Sequence, residues 1–241
     1  MTWRVGSLVF SASSLPITGL LLWLKGDAIS GVSDGAALTT WVDSSGAGFD
    51  VSQSTSGDKP TYRASVAAFG NMPAVEFDGS TDYLSRSATL TSVQTDWSIF
   101  AVLKPSSTSD TQVPVMVGGD DRGWGIATST DTSKKGWIAG GVAWNSSTVA
   151  ADTTAEVWCV TNGETSPGET ALYLDGVQQT TWGTLPGVPR ANTTIGQSGD
   201  GSFGAVHQYA GQIAEVLIYQ PHLSATDRAF VEAYLAGKYG L

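Results

Sequence analysis

Apolar residues along this chain fall into short runs separated by turn signals. Residues 20–24, 73–77, 97–103, 113–117, 124–127, 137–142, 156–161, 171–174 and 213–219 each read as a strand, either apolar throughout or alternating. Asp-Gly pairs begin at Asp34, Asp78, Asp175 and Asp200, and Gly118-Gly119 and Gly140-Gly141 add further breaks. Many short strands between turns predict a sandwich or barrel, and the alternation with long helical patterns that marks a parallel α/β sheet is missing. The C-terminus differs. Ser224 and Asp227 form a Ser-x-x-Asp capping box, after which Phe230, Val231, Tyr234 and Leu235 recur at helical spacing. One short helix is predicted there, weakened at its end by Gly237, with its stripe packed on the edge or end of a sheet.

The length of 241 residues suits a single all-β unit, large enough to bury roughly three-quarters of its unfolded surface without staples. Only 14% of residues are charged, so Ser, Thr, Asn and Gly must build much of the surface. The formal charge is −10, and the one basic pair, Lys134-Lys135, is too short for a phosphate-binding track. Nucleic acid and anionic membrane are therefore disfavoured as partners. Cys159 is alone in a strand-like run and reads as a buried apolar residue. No run reaches the ~18–20 apolar residues of a membrane span, and the apolar part of residues 5–10 is too short for a signal peptide.

Four segments, in order, resemble the laminin-G-like, concanavalin A-like family, especially the versions found in bacteria and their phages. They are Gly19-Leu-Leu-Leu-Trp-Leu-Lys25 with Trp41-Val-Asp-Ser-Ser-Gly46, then Met72-Pro-Ala-Val-Glu-Phe-Asp-Gly-Ser-Thr-Asp-Tyr-Leu84, then Ala171-Leu-Tyr-Leu-Asp-Gly-Val177, then Gly211-Gln-Ile-Ala-Glu-Val-Leu-Ile-Tyr219. The resemblance implies an all-β, two-sheet antiparallel jelly-roll sandwich over residues 19–241, with the short C-terminal helix. Residues 1–18 fall outside it and read as an N-terminal arm anchoring the domain to neighbours, or as an extra edge strand.

The scaffold carries lectins, glycanases and structural domains alike, so function must come from a site. In one glucanase branch of the resembled superfamily a strand carries Glu-x-Asp-x-x-Glu. Here Glu76-Phe77-Asp78 gives the first half, but Thr81 stands where the second Glu belongs. The two histidines, His207 and His222, read as ordinary loop or sheet-face residues without a nearby nucleophile in sequence, no Gly-x-Gly-x-x-Gly segment leads from a strand into a helix, and no Walker-type loop is present. Calcium is a candidate cofactor, as the resembled sites use rim aspartates; Asp120, Asp121 and Asp200 are the weak candidates, and solvated turn aspartates are the alternative. Trp124, Trp137 and Trp144, beside Asp120, Asp121 and Asn145, read as a sugar-stacking platform or as sandwich core, as Trp23, Trp97 and Trp158 do.

These readings favour a non-enzymatic domain on a bacteriophage tail or capsid surface, recognising host-surface glycan. Such domains act outside cells, and release by lysis would supply a chain without an export signal. The alternatives are a decoration protein that touches no sugar and a divergent glycan hydrolase or lyase. Contacts to other virion proteins through residues 1–18 belong to the same expectation.

Overall fold

The computed structural model describes residues 2–5, 8–11, 15–16, 18–90, 96–118, 123–130, 132–139, 144–163, 170–182, 192–198 and 207–241. The chain opens with a hairpin, β1 (Thr2–Val5) and β2 (Leu8–Ser11), followed by β3 (Leu20–Lys25), β4 (Thr40–Trp41), β5 (Val51–Ser52), β6 (Thr61–Val66), β7 (Met72–Asp78) and β8 (Leu84–Arg86). The middle of the chain supplies β9 (Trp97–Pro105), β10 (Val115–Val117), β11 (Trp124–Ala127), β12 (Lys134–Ala139) and β13 (Trp144–Ala150). Then come β14 (Glu156–Asn162), β15 (Thr170–Leu174), β16 (Val177–Trp182), β17 (Thr193–Ile195), β18 (Ala210–Tyr219) and the helix α1 (Ala225–Tyr239).

Two eight-stranded sheets form the sandwich. One runs β16-β15-β14-β9-β18-β7-β6, with β3 also pairing β18, and the other runs β13-β12-β11-β10-β17-β8-β5-β4. Every pairing between these strands is antiparallel.

The apolar runs of the first sheet have a two-sided cause. In β9, Trp97, Ile99, Ala101 and Leu103 face the second sheet, while Phe100 and Val102 face outward into a second core. β14 repeats this, with Trp158 and Val160 inward and Val157 and Cys159 outward. A strand buried on both faces reads as continuously apolar. What covers the outer face is α1. Val231, Tyr234, Leu235 and Tyr239 are fully buried against it, so the helix lies over a sheet face and not, as the sequence suggests, over an edge or end. Burial of Cys159 pushes its thiol well above the ordinary range, consistent with an inert core residue.

The helix is fixed at both ends. The Ser224 hydroxyl accepts from the Asp227 N–H at 3.1 Å, and Gly240 closes the C-terminus in the left-handed region at φ 71°. Helix continues through Gly237 to Tyr239. Near that end, Glu215 of β18 is 0% exposed and accepts from Lys238 Nζ at 2.7 Å, Tyr239 OH at 2.6 Å and Trp23 Nε1 at 2.5 Å. Lys238 also reaches Asp27 at 3.0 Å. Phe230 is only half-buried at the margin. Phe230→Ala should therefore cost about 2 kcal/mol, below the full-burial range, and Ser224→Ala about 1 kcal/mol. Denaturant melts check the order; a cap cost exceeding the aromatic cost would refute this placement.

The β1–β2 hairpin joins neither sheet and lies beside α1. Among the described residues of this stretch, β1 and β2 pair only with each other. Leu15 is buried in the core beneath the helix.

Candidate functional site

Two of the three tryptophans expected as a platform, Trp124 and Trp137, are core residues. Trp124 and Trp137 have no exposed surface and lie between the sheets, and Trp124 stacks on Trp97 with centroids 4.2 Å apart and planes 8° from parallel. The register explains it. Ile126 pairs with Trp137 and alternates with Gly125, so Trp124, Ile126 and Trp137 share the inward face. Trp144 and Asn145 sit on β13 opposite Ile138 and Trp137, with their side chains outside the described residues. Asp120, Asp121 and Asp200 also lie outside the described residues. Among the described residues no group of three or more His, Cys, Asp or Glu could hold a metal ion. His222 is held by Asp96, whose carboxylate contacts the ring Nδ1 and accepts the backbone N–H at 2.9 Å.

A different site is built at one end of the sandwich, where β7 and β9 finish and β18 begins. Two devices shape it. After β9, Gln112 is 3% exposed and acts as an internal template. Its amide donates to the carbonyls of Ser107 and Ser109, both at 3.0 Å, and its Oε1 accepts from Ala210 N at 3.1 Å. The loop wraps this side chain and presents Asp110, held in the left-handed region at φ 62°. After β7, Asp78 closes a tight turn by accepting from the N–H groups of Ser80, Thr81 and Asp82 at 2.8, 2.9 and 3.1 Å. Gly79 follows at φ 77°, where a Cβ would come within 2.6 Å of the Ala210 Cβ. The loop and the turn border three adjoining depressions of about 340, 440 and 390 Å³. Asp78 is shared by the first two, and Asp110, Thr111 and His207 by the last two, so together they form one groove.

The groove is polar, and its charges are fixed. Glu76 accepts from Arg63 at 2.6 Å and from Gln212 at 2.7 Å; the Arg63 hydrogen bond, against the opposing effect of burial, holds its carboxyl below the usual range. Burial works against ionisation of Asp78 too, but the Ser80 hydroxyl and three backbone N–H groups outweigh it and hold it well below its ordinary value. Thr81 serves the same turn, its hydroxyl donating to Gly57 O at 3.1 Å. Glu76-x-Asp78-x-x-Thr81 is thus a structural unit. Behind it Asp82, 8% exposed, is pushed up to about 6 by burial and by the neighbouring Asp78 charge.

A folded value raised above the unfolded one stabilises below the unfolded value and is lost as pH rises through the folded one. Asp82 therefore weakens the fold as pH rises from about 4 to about 6, while Asp78, whose value is lowered, stabilises above its unfolded value. Asp82→Asn keeps an acceptor for the Asp78 N–H, bonded at 3.1 Å. It should stabilise on the order of 1 kcal/mol above pH 6, after allowance for solvent screening, and little below pH 4. Melts at both pH values check this; an equal effect at both would refute the titration.

The segment carrying this turn also begins the stretch that decides the family. The family model described as the concanavalin A-like lectin/glucanases superfamily matches residues 78–227. The chain belongs to this superfamily. A search of the curated proteins returns no significant match. Among solved structures, the fold is similar to Trypanosoma rangeli sialidase in complex with sialic acid, at TM-score 0.64 and 14% identity, covering 98% of this chain and 36% of that one. The chain thus spans about a third of the sialidase. It is also similar to domain 4 of an extracellular arabinanase from Geobacillus stearothermophilus, in complex with arabinotriose, at TM-score 0.65 and 15% identity, covering 89% of this chain and 98% of that one. At these identities the likeness is one of fold alone.

Proposed function

We propose that this superfamily member is a non-catalytic glycan-binding module whose ligand lies in the rim groove at Asp78, Asp110 and Thr111. The observation that carries the reading is a groove lined by positioned hydroxyl, amide and carboxylate groups in which Glu76 and Asp78 are both held ionised. Glycoside cleavage needs one carboxyl kept protonated and a second, ionised, roughly 5–10 Å away across the bond. The low-value Asp78 and raised Asp82 favour the hydrolase alternative by their contrast. Against it, the two clasp each other's backbone N–H groups within one turn, which leaves no room for a sugar between them.

The setting we propose is a bacteriophage tail or capsid surface, with host-envelope glycan as ligand. A surface poor in ionic residues and rich in Ser, Thr and Gly supports an extracellular position. Contact with other virion proteins would run through the β1–β2 hairpin, whose outer edges neither sheet pairs.

Thr111→Trp fills the groove from an exposed loop. It should weaken glycan-array binding about tenfold or more without lowering the melting temperature. An unchanged array profile would move the ligand elsewhere.

A further inference from the structure

We infer that the outer face of the second sheet carries another ligand site, for an uncharged sugar ring, around Tyr83, Gln53 and Arg86. It rests on the glycan reading for the class of ligand alone, since its residues belong to the opposite sheet from Asp78. Ser52 of β5 pairs with Ser85 of β8, and their neighbours Val51 and Leu84 are fully buried in the core. Alternation therefore sets both serines on the outer face. There they line a depression of about 650 Å³, larger than any of the three rim depressions.

Four further groups border it, of which Gln53, Arg86 and Asp50 are fixed by contacts of their own. Gln53 is 6% exposed; its Oε1 accepts from Thr55 N at 3.0 Å, while its Nε2 has no partner among the described residues. A buried donor left unpaired is costly, and a ligand acceptor reaching it would relieve that cost. Arg86 lies over the Phe49 ring at 4.7 Å, donates to Gly48 O at 2.9 Å, and has a buried Nε that is likewise unpartnered among the described residues. Asp50 is held by the Asp43 N–H at 2.8 Å. Tyr83, half-buried, offers an aromatic surface for the apolar C–H side of a ring. One guanidinium and one carboxylate offset each other. The remaining lining is hydroxyl and amide, which suits a neutral polyol over a charged ligand.

The test is a residue-resolved NMR titration of the full ¹⁵N-labelled chain with the methyl glycosides of glucose, galactose and N-acetylglucosamine, and with glucuronic acid for comparison. The expected result is a shift of the Gln53 side-chain amide and of the Tyr83 and Ser85 backbone with a neutral glycoside. Ser85→Trp and Tyr83→Ala should each weaken that response about tenfold, and Thr111→Trp should leave it unchanged. Tyr83→Ala decides if Ser85→Trp does not fold by circular dichroism. Shifts confined to the Asp78 and Asp110 loops would overturn this site and leave the rim reading standing. Shifts confined to the second sheet would support it and overturn the rim reading. A response to glucuronic acid alone would overturn the uncharged ligand, and no shift with any probe would overturn both sites.

Discussion

Replacing Lys238 with alanine is expected to cost the fold about 3–5 kcal/mol, because it strands a buried carboxylate. Lys238 is 4% exposed and Glu215 is 0% exposed, and the lysine is the cation facing that carboxylate at 2.7 Å. Trp23 and Tyr239 donate to the same carboxylate, but neutral donors do not cancel its charge. The link also joins α1 to the central strand β18, so its loss should expose the core beneath the helix. Glu215→Gln with Lys238→Met removes both charges together and should recover much of the loss, as apolar replacement of a buried pair commonly does. Urea melts of the single and double variants measure this. A Lys238→Ala cost below about 1 kcal/mol would mean that the pair is solvated and the helix held by apolar contact alone.

The second large effect is expected at Trp124. Trp124→Ala should cost about 3–5 kcal/mol through lost transfer energy and the cavity left beneath Trp97. Trp124→Phe should cost less by retaining a stacked ring. The measurement also separates the two roles that the sequence leaves open. A core tryptophan loses stability and leaves sugar affinity intact in whatever fraction folds. A platform tryptophan would lose affinity at nearly unchanged stability.

Elements buried on two faces were the most legible in the sequence. The runs in β9, β14 and β18 are apolar because the second sheet lies on one side and α1 on the other. The capping box marked the helix correctly, yet a stripe of apolar residues does not say whether it meets a sheet's face or its edge. The missed strands were polar, as β13 and β16 are, or short, as β4, β5, β8 and β17 are. Lys135, of the one basic pair in the sequence, is 1% exposed and bonds Glu156 at 2.6 and 2.7 Å, a partner 21 residues away that spacing does not reveal. Trp124 and Trp137 proved to be core, which the sequence left open because alternation assigns residues to two faces without naming the inner one. The groove was nearly invisible. Its parts come from three distant stretches, near residues 76–82, 104–112 and 207–212, and become a site through tertiary pairing. Glu76-x-Asp78 was the one local signal, and it marked the place.

Binding and turnover measured on the same samples test the central claim most directly. The wild-type chain and Glu76→Gln would be run through affinity electrophoresis in gels containing a broad panel of polysaccharides, and the same mixtures assayed for newly formed reducing ends and unsaturated products. Retarded migration of the wild-type chain in at least one polysaccharide, with no product formed, is the predicted result. Product formation by the wild-type chain that disappears in Glu76→Gln would contradict it and make the groove an active site.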